Sequence, residues 1–370
     1  IMDNNKSLIM DSFKKLEIWF LTGSQHLYGQ ETLNKVADNA LHIVHYLKNN
    51  LPIQLVFKPV LKSSEEIYQL ILDANYNTDC IGIVTWMHTF SPSKMWINGL
   101  KILQKPLCHL HTQFNRDIPW NDIDMDFMNL NQSAHGDREF GYILSRMKIP
   151  RKVIVGHWQN ERVSSQLNDW TRAILGWHDL QNAKFVRFGD NMRQVAVTEG
   201  DKVEAQITFG FQVNTHGIGD LVSEIDQVKA SEIDDLCEVY NQEYHLTSSL
   251  SRNGTHYNSL REAAKIELGL TNFLTKGQYK GFTTTFEDLH GLTQLPGISV
   301  QRLMKKGFGF GAEGDWKTAA LLRAMKTMSI GLAGGNSFME DYTYHFEPNN
   351  EMVLGAHMLE ICPSIAHEKP

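Results

Sequence analysis

The sequence predicts an α/β protein of two or three domains, and three observations lead to this prediction. The chain has 370 residues, more than one ordinary hydrophobic core holds. Hydrophobic residues make up 42% of it and charged residues 21%, as in globular proteins rather than disordered or fibrous ones. Short apolar runs alternate with segments of helical periodicity through residues 1–180, which favours parallel strands joined by crossover helices.

The first strand is predicted at residues 16–21, where the sequence LEIWFL reads as a buried strand. A turn, TGS, follows, and then a helix whose apolar residues recur every 3.6 residues. These apolar residues are Leu33, Val36, Ala37, Ala40, Leu41, Val44 and Leu47. A second strand is predicted at residues 55–60. Ser63 and Glu66 then have the spacing of a capping box at the start of the next helix.

Three more strands are predicted before residue 160, at residues 81–86 (IGIVTW), 106–111 (PLCHLH) and 152–156. A helix follows, with its apolar residues at Val163, Leu167, Trp170 and Ile174. Because each strand is followed by a helical segment, the strands are expected to form an open, doubly wound parallel sheet.

The pattern changes near residue 185, and we predict a domain boundary close to residue 183. Apolar residues from Val203 to Val213 alternate with mainly polar ones, which predicts a half-buried antiparallel strand. Helices are predicted again at about 222–245, 258–275 and 315–330. After Gly331 the sequence is typical of short strands and loops.

Charge and cysteine content exclude several classes of protein. The net charge is −7, and no block of five basic residues occurs, so a nucleic-acid partner has little electrostatic support. The four cysteines lie far apart without a C-x-x-C spacing, which argues against zinc ribbons and disulfide frameworks and favours a reducing compartment. The first 15 residues lack an apolar signal core, and no apolar run reaches the about 20 residues that span a bilayer. We therefore expect a cytoplasmic protein without a membrane partner.

Three polar residues in the last sixty positions are candidate metal ligands. Glu313 lies between glycines just before a predicted helix, where α/β active sites often form. Glu340 follows a pair of glycines, and His357 stands in a mostly apolar run. Two carboxylates and an imidazole could bind one divalent cation, and Mn²⁺ accepts both ligand types.

Each of these residues also has a plain structural interpretation. A glutamate before a helix is more often a cap or a partner of the helix dipole, and a lone histidine in an apolar run is more often a core residue. The spacings of 27 and 17 residues fit no short metal motif, so spacing alone favours the structural interpretation. The segments GSQHLYG, WMHTFSP, NLNQSAHGDREFG, RFGDNMR and TTTFEDLHG are likewise either plain loops or parts of a pocket.

Taken together, these segments closely resemble the bacterial L-arabinose isomerases. The resemblance is carried by GSQHLYG, WMHTFSPSKMWINGL, HTQFN, DMDFMNLNQSAHGDREFG, RFGDNMR, TTTFEDLHGL, QLPG, AEGDWKTAALLR, SFMEDYTYHFE and LGAHMLEICPSIA. These segments occur in the same order as in the family and extend over residues 17–370. A match of this length and order is not a chance motif.

The resemblance implies an activity, a cofactor and a fold. The family interconverts L-arabinose and L-ribulose, and many members also convert D-galactose to D-tagatose. Its metal is Mn²⁺, with Co²⁺ as a substitute, and its members are homo-oligomers, commonly hexamers with the active site at a subunit junction. The fold is fucose-isomerase-like. It implies an N-terminal α/β doubly wound domain at 1–183, a central α/β domain at 184–334, and the start of an incomplete β-rich C-terminal domain at 335–370.

The resemblance also assigns residues. It implies that Glu313, Glu340 and His357 bind the metal and that the two glutamates are catalytic. The positions matching the sugar pocket are Gln25, Leu27, Tyr28, Phe90, His135, Met192 and Phe286. We expect an enediol route in which both glutamates have dual roles, in preference to a metal-assisted hydride shift.

The resemblance is incomplete at one point. The second metal-binding histidine of the family lies beyond Pro370, and His367 does not match it. We therefore expect a C-terminally truncated chain with little or no activity of its own. The alternative interpretations are a catalytically impaired subunit that still folds and oligomerises, and a non-catalytic sugar-binding protein.

Overall fold

A computed structural model describes residues 13–368. Residues 1–12 and 369–370 lie outside the described part, and so does most of the N-terminal segment that was predicted to lack a signal core. The chain divides into two compact units, one ending at Leu175 and the other beginning at Gly176. We call them the N-terminal and C-terminal units. The three domain ranges given above stay predictions.

The N-terminal unit is built on a five-stranded parallel sheet with the order β2-β1-β3-β4-β5. The strands are β1 (Glu17–Gly23), β2 (Gln54–Phe57), β3 (Cys80–Met87), β4 (Leu107–His111) and β5 (Lys152–Val155). The helices are α1 (Gly29–Leu47), α2 (Ser64–Tyr76), α3 (Ile97–Ile102), α4 (Met125–Leu130), α5 (Ser133–Arg146) and α6 (Glu161–Leu180), of which α6 ends in the C-terminal unit.

The central strand β1 explains why this sheet is covered on both faces. Ile18 and Phe20 point into one hydrophobic core, and Trp19 and Leu21 point into the other. Successive side chains of a strand leave opposite faces, so a continuous apolar run supplies two cores at once. Helices cover both cores, and the predicted doubly wound sheet is confirmed.

The predicted capping box is present in a modified form. The hydroxyl of Ser63 accepts a hydrogen bond from the backbone N–H of Glu66 at 3.2 Å. The Glu66 carboxylate accepts from the N–H of Lys62 at 2.7 Å, one residue before the usual position. Both contacts satisfy backbone donors at the start of α2.

The C-terminal unit contains a four-stranded parallel sheet with the order β7-β6-β8-β9, followed by an antiparallel hairpin. The strands are β6 (Lys184–Phe188), β7 (Gln212–His216), β8 (Tyr279–Thr283), β9 (Gly309–Gly311), β10 (Asp341–His345) and β11 (Met352–Ala356). The helices are α7 (Lys202–Phe209), α8 (Ile218–Asp226), α9 (Ala230–Glu243), α10 (Tyr257–Gly277), α11 (Gly297–Lys305) and α12 (Trp316–Met328). The predicted α/β class with a β-rich end is confirmed.

The antiparallel strand predicted over residues 203–213 is wrong. The segment forms α7 and the start of β7, which pairs in parallel with β6. Asp201 begins the helix by accepting from the N–H groups of Val203 and Glu204, and Gly210 ends it in the left-handed conformation at φ +82°. The two helix caps, rather than the alternation of apolar residues, therefore determine the secondary structure of this segment. The apolar alternation did not mark a buried face, because Val203 is exposed in α7.

The single helix predicted at about 222–245 is two helices. α8 ends at Asp226, and α9 begins at Ala230 after Lys229. The Glu232 side chain accepts from the backbone N–H of Lys229 at 3.0 Å, which caps the second helix.

None of the helices within residues 13–368 combines the length and the apolar character needed to cross a membrane.

Candidate active site

Glu313 lies in a tight turn between β9 and α12. Its backbone φ is +56°, in the left-handed region, and that of Gly314 is +82°. A Cβ atom on Gly314 would lie 2.6 Å from Cα of Asn191, so this position requires glycine. Asp315 then caps α12 by accepting from two backbone N–H groups. The turn therefore fixes the direction in which the Glu313 side chain leaves the sheet.

The hairpin β10–β11 brings Glu340 and His357 together. Glu340 immediately precedes β10 and His357 immediately follows β11. The register pairs Asp341 with Ala356, and the Glu340 N–H donates to the carbonyl of Ala356 at 3.0 Å. Glu340 Oε2 lies 3.6 Å from His357 Nε2 as a result. Glu340 and His357 are 17 residues apart in the sequence, but they are neighbours at the open end of the hairpin.

Glu313 lines the same cavity as His357 and acts electrostatically on Glu340. Burial and the negative charge of Glu313 together raise the pKa of Glu340 to about 7, while His357 acts in the opposite direction. Within residues 13–368, Oε2 of Glu340 has no hydrogen-bond partner. Two carboxyl groups that share a site cannot both ionise freely, and an unpartnered buried carboxylate oxygen favours a proton or a cation beside it.

Two further side chains hold the His357 ring. Phe338 contacts it edge to face, with the ring centroids 4.9 Å apart. Oε2 of Glu360 lies 2.6 Å from His357 Nδ1, within ion-pair distance although outside hydrogen-bond geometry. Glu360 was not a candidate from the sequence. Its position three residues after His357 was the one available signal.

The structure brings two of the predicted sugar-pocket residues to this place. Phe286, Glu313 and His357 line one small cavity of about 60 Å³. The backbone N–H of Met192 donates to the carbonyl of Glu313 at 3.0 Å, so Met192 adjoins the same turn. The predicted residues of the C-terminal unit therefore form one cluster, which we call the carboxylate site: Glu313, Glu340, His357, Met192 and Phe286.

The other predicted pocket residues gather at the carboxyl edge of the N-terminal sheet. Gln25, Leu27 and Tyr28 follow β1, and Phe90 follows β3. The rings of Phe90 and His135 stack with their centroids 4.4 Å apart. Hydrogen bonding joins the two loops, because the hydroxyls of Ser24 and Thr89 lie 2.7 Å apart. This edge is where ligands bind in open α/β sheets.

A third polar cluster was not predicted from the sequence. His109 and His111 lie on β4, and Asp137 lies in the second turn of α5. One ligand atom from each residue lies within 4.8 Å of the other two, so the group could hold a metal ion. The signal was the H-x-H spacing in PLCHLH, because alternate residues of a strand share one face.

An apolar cavity of about 390 Å³ lies elsewhere in the C-terminal unit, beside α7 and α12. Its walls include Phe209, Phe211, Trp316 and Leu321. It contains none of the predicted site residues, and its apolar walls offer few partners for hydroxyl groups.

The comparison with known proteins covers almost the whole chain. Residues 12–182 match the family model for the L-arabinose isomerase N-terminal domain, residues 184–331 match that for the central domain, and residues 335–370 match that for the C-terminal domain. The chain is 62% identical to L-arabinose isomerase of Herpetosiphon aurantiacus over 363 residues, which are 98% of this chain and 72% of that protein. The corresponding enzymes of Aeromonas hydrophila and Koribacter versatilis are each 60% identical over 98% of this chain, with 73% and 72% of their own lengths covered.

These matches confirm the resemblance found in the motifs and the prediction that the protein is an isomerase. They cover both α/β units and the hairpin that follows them. The chain belongs to the L-arabinose isomerase family of enzymes.

Proposed function

We propose that this chain interconverts L-arabinose and L-ribulose, with D-galactose and D-tagatose as a second substrate pair. The family membership supports the activity, since the relatives named above are L-arabinose isomerases. The observation that carries the proposal is the convergence of Glu313, from the β9–α12 turn, with Glu340 and His357, from the open end of the β10–β11 hairpin.

We propose Mn²⁺ as the cofactor, with Co²⁺ as a substitute, held by Glu313, Glu340 and His357. The donor set fits, because carboxylates suit hard cations and imidazole suits transition metals. The unpartnered Oε2 of Glu340 also fits a cation at this place. An ion held by these residues would supply Lewis-acid chemistry that polarises the sugar carbonyl.

The carboxyl groups of Glu313 and Glu340 then transfer the protons of the reaction. In the enediol route a carboxylate removes the proton from C2, and the resulting carboxylic acid returns a proton to C1. A proton passes from O2 to O1 in the same cycle, so the aldose and the ketose have the same composition. A carboxylate that ligates a cation is a weaker base, which is the argument for the hydride shift as the alternative route.

We propose that the predicted pocket residues of each unit, taken by itself, bind sugar. In the C-terminal unit, Phe286 and Met192 adjoin the carboxylates. In the N-terminal unit, an amide, a phenol, an imidazole and two apolar side chains are available for sugar hydroxyls and C–H groups: Gln25, Tyr28, His135, Leu27 and Phe90. Hydroxyl-rich ligands need this mixture of hydrogen-bonding and apolar contacts.

We also propose a cytoplasmic homo-oligomer, with a hexamer as the expected size. Leu27, in the loop after β1, is 84% exposed in the single chain and is therefore available for contact with another subunit. The four cysteines are unpaired and buried, which suits a reducing compartment.

Ketose formation from L-arabinose with Mn²⁺, measured together with Mn²⁺ binding by electron paramagnetic resonance, tests this proposal. Glu340→Gln should weaken Mn²⁺ binding, and it should lower whatever turnover the chain shows by about 10²–10⁴-fold, because it removes both a base and an anionic ligand. Glu347→Gln is the matched control, since Glu347 is exposed on the same hairpin. Mn²⁺ binding that survives unchanged in Glu313→Gln and Glu340→Gln would contradict the proposed site. Sugar binding without any turnover would favour a non-catalytic sugar-binding protein.

A further inference from the structure

The cluster of His109, His111 and Asp137 is a separate arrangement that the proposed reaction does not use. His109 and His111 are two residues apart on β4, so both imidazoles leave the same face of the strand. Nε2 of His109 lies 2.8 Å from Oδ1 of Asp137, and Nδ1 of His109 lies 2.9 Å from Nε2 of His111. Nδ1 of His111 lies 4.0 Å from the second carboxyl oxygen of Asp137.

These polar groups are buried at the edge of the sheet. The side chain of His109 is fully buried, that of Asp137 is 5% exposed, and that of His111 is 28% exposed. The His109 ring is held edge to face by Phe140, with the centroids 4.9 Å apart. Placing a carboxyl group and two imidazoles inside a protein is costly unless they bind each other or a cation. His109 is therefore a fixed element, and His111 is the part of the cluster that can move.

The cluster forms part of the wall of a cavity of about 530 Å³. His111 and Asp137 line it, together with Thr112 and Asn115. Thr112 is 5% exposed, and its hydroxyl has no hydrogen-bond partner within the described chain; the side-chain carbonyl of Asn115 has none either. Buried polar atoms of this kind are normally satisfied by ordered water or by a ligand.

We propose that His109, His111 and Asp137 form a second divalent metal site, with three protein ligands and a remaining coordination position that faces this cavity. Two imidazoles and one carboxylate select a transition-metal ion over Mg²⁺ or Ca²⁺, and the usual order of affinities places Co²⁺ and Zn²⁺ above Mn²⁺. The open position takes water or a small anionic or hydroxylated molecule from the cavity. Thr112 and Asn115 supply hydrogen bonds to that molecule.

Metal uptake must rearrange the protons of the cluster. If the ion binds Nε2 of His109 and Nδ1 of His111, the other ring nitrogens both carry hydrogen and face each other at 2.9 Å. Two N–H groups cannot share one hydrogen bond, so the His111 ring must turn toward the cavity. The partial exposure of His111 permits this movement. Burial and then the positive charge of Arg151 lower the pKa of both histidines, and the same charge opposes the binding of a cation.

Zinc and cobalt binding to the 370-residue chain tests this site, and Glu340→Gln serves as the background that weakens the carboxylate site. We expect one equivalent of Zn²⁺ by calorimetry in Glu340→Gln, and a visible absorption band with Co²⁺. Adding His111→Gln or Asp137→Asn to this background should remove that equivalent or weaken it by more than tenfold. His157→Gln is the matched control, because His157 lines the same cavity outside the cluster.

Unchanged Zn²⁺ binding in the His111→Gln and Asp137→Asn proteins would overturn the site. So would the absence of any Zn²⁺ equivalent in the Glu340→Gln protein. If circular dichroism shows that Asp137→Asn fails to fold, His111→Gln decides alone, since this side chain is partly exposed. The site uses none of the residues proposed for the isomerase reaction, so its failure would leave that proposal untouched.

Discussion

Nε2 of His357 faces Oε2 of Glu340 at 3.6 Å, while Nδ1 of the same ring lies 2.6 Å from Oε2 of Glu360. The two contacts give the two nitrogen atoms of the imidazole ring different roles. A proton on Nδ1 is favoured by the Glu360 carboxylate, which leaves the lone pair of Nε2 directed at Glu340. Glu360 is thus a positioning residue in the carboxylate site, although it was not a candidate from the sequence.

Replacing Glu360 with glutamine should weaken Mn²⁺ binding by about 10–100-fold, as is typical when the partner of a ligating histidine is altered. The amide lacks the charge that holds the proton on Nδ1. Electron paramagnetic resonance of free Mn²⁺ measures the change directly. Glu351→Gln, at an exposed position before β11, should have no effect. An equal loss in both variants would mean that the effect is only one of net charge.

Glu340 should destabilise the metal-free protein at high pH. Its pKa is about 7, above the ordinary value of 4.5, because it is buried and close to Glu313. The folded state therefore binds the proton more tightly than the unfolded state, and stability falls as pH rises from about 4.5 to about 7. In chelator-treated protein, Glu340→Gln should raise the melting temperature more at pH 8 than at pH 5. Equal shifts at both pH values would contradict this pKa.

Asp179 should have the opposite effect on stability, because its ionised carboxylate stabilises the folded protein at neutral pH. Burial would raise its pKa, but hydrogen bonds and positive charge from Arg323 and Lys280 outweigh burial and hold it at about 2, below the ordinary 3.8. The contribution of the Asp179 carboxylate to the free energy of unfolding is complete above about pH 4, and it is lost as the pH falls toward 2. Asp179→Asn should therefore cost about 2 kcal/mol in unfolding free energy at pH 7 and less at acid pH.

Urea unfolding of the Asp179→Asn protein at several pH values measures this difference. Asp169→Asn is the control, because Asp169 lies on the same helix, α6, and is exposed. A constant difference between Asp179→Asn and the wild type from pH 7 to pH 3 would show that packing, rather than charge, is responsible.

The enediol route predicts exchange with solvent. A proton held by Glu340 or Glu313 can exchange with water before it returns to carbon, so L-ribulose formed in deuterium oxide should carry deuterium at C1. Proton magnetic resonance of the product measures its incorporation. Complete retention of hydrogen from C2 would favour the hydride shift. L-Arabinose kept in the same buffer without protein controls for spontaneous exchange.

Periodicity was sufficient for the parallel strands and most of the helices, because buried strands and amphipathic helices leave strong signals. It failed at Val203–Val213, where the caps Asp201 and Gly210 outweighed an apolar alternation. Spacing could not bring Glu340 to His357, since their contact depends on the register of a hairpin. The likeness to the family supplied that pair. Neither approach found Asp137 beside His109, because the contact joins a strand to a helix 28 residues away.

The backbone at Glu313 has a consequence for the evolution of this chain. A residue with a side chain at φ +56° costs about 1 kcal/mol relative to glycine, so the turn would be more stable with glycine at this position. Selection for stability alone would therefore remove the carboxylate, and a screen for thermostable variants should recover Glu313→Gly as a stable protein that binds Mn²⁺ poorly. At position 313, folding stability favours glycine, whereas metal binding favours glutamate.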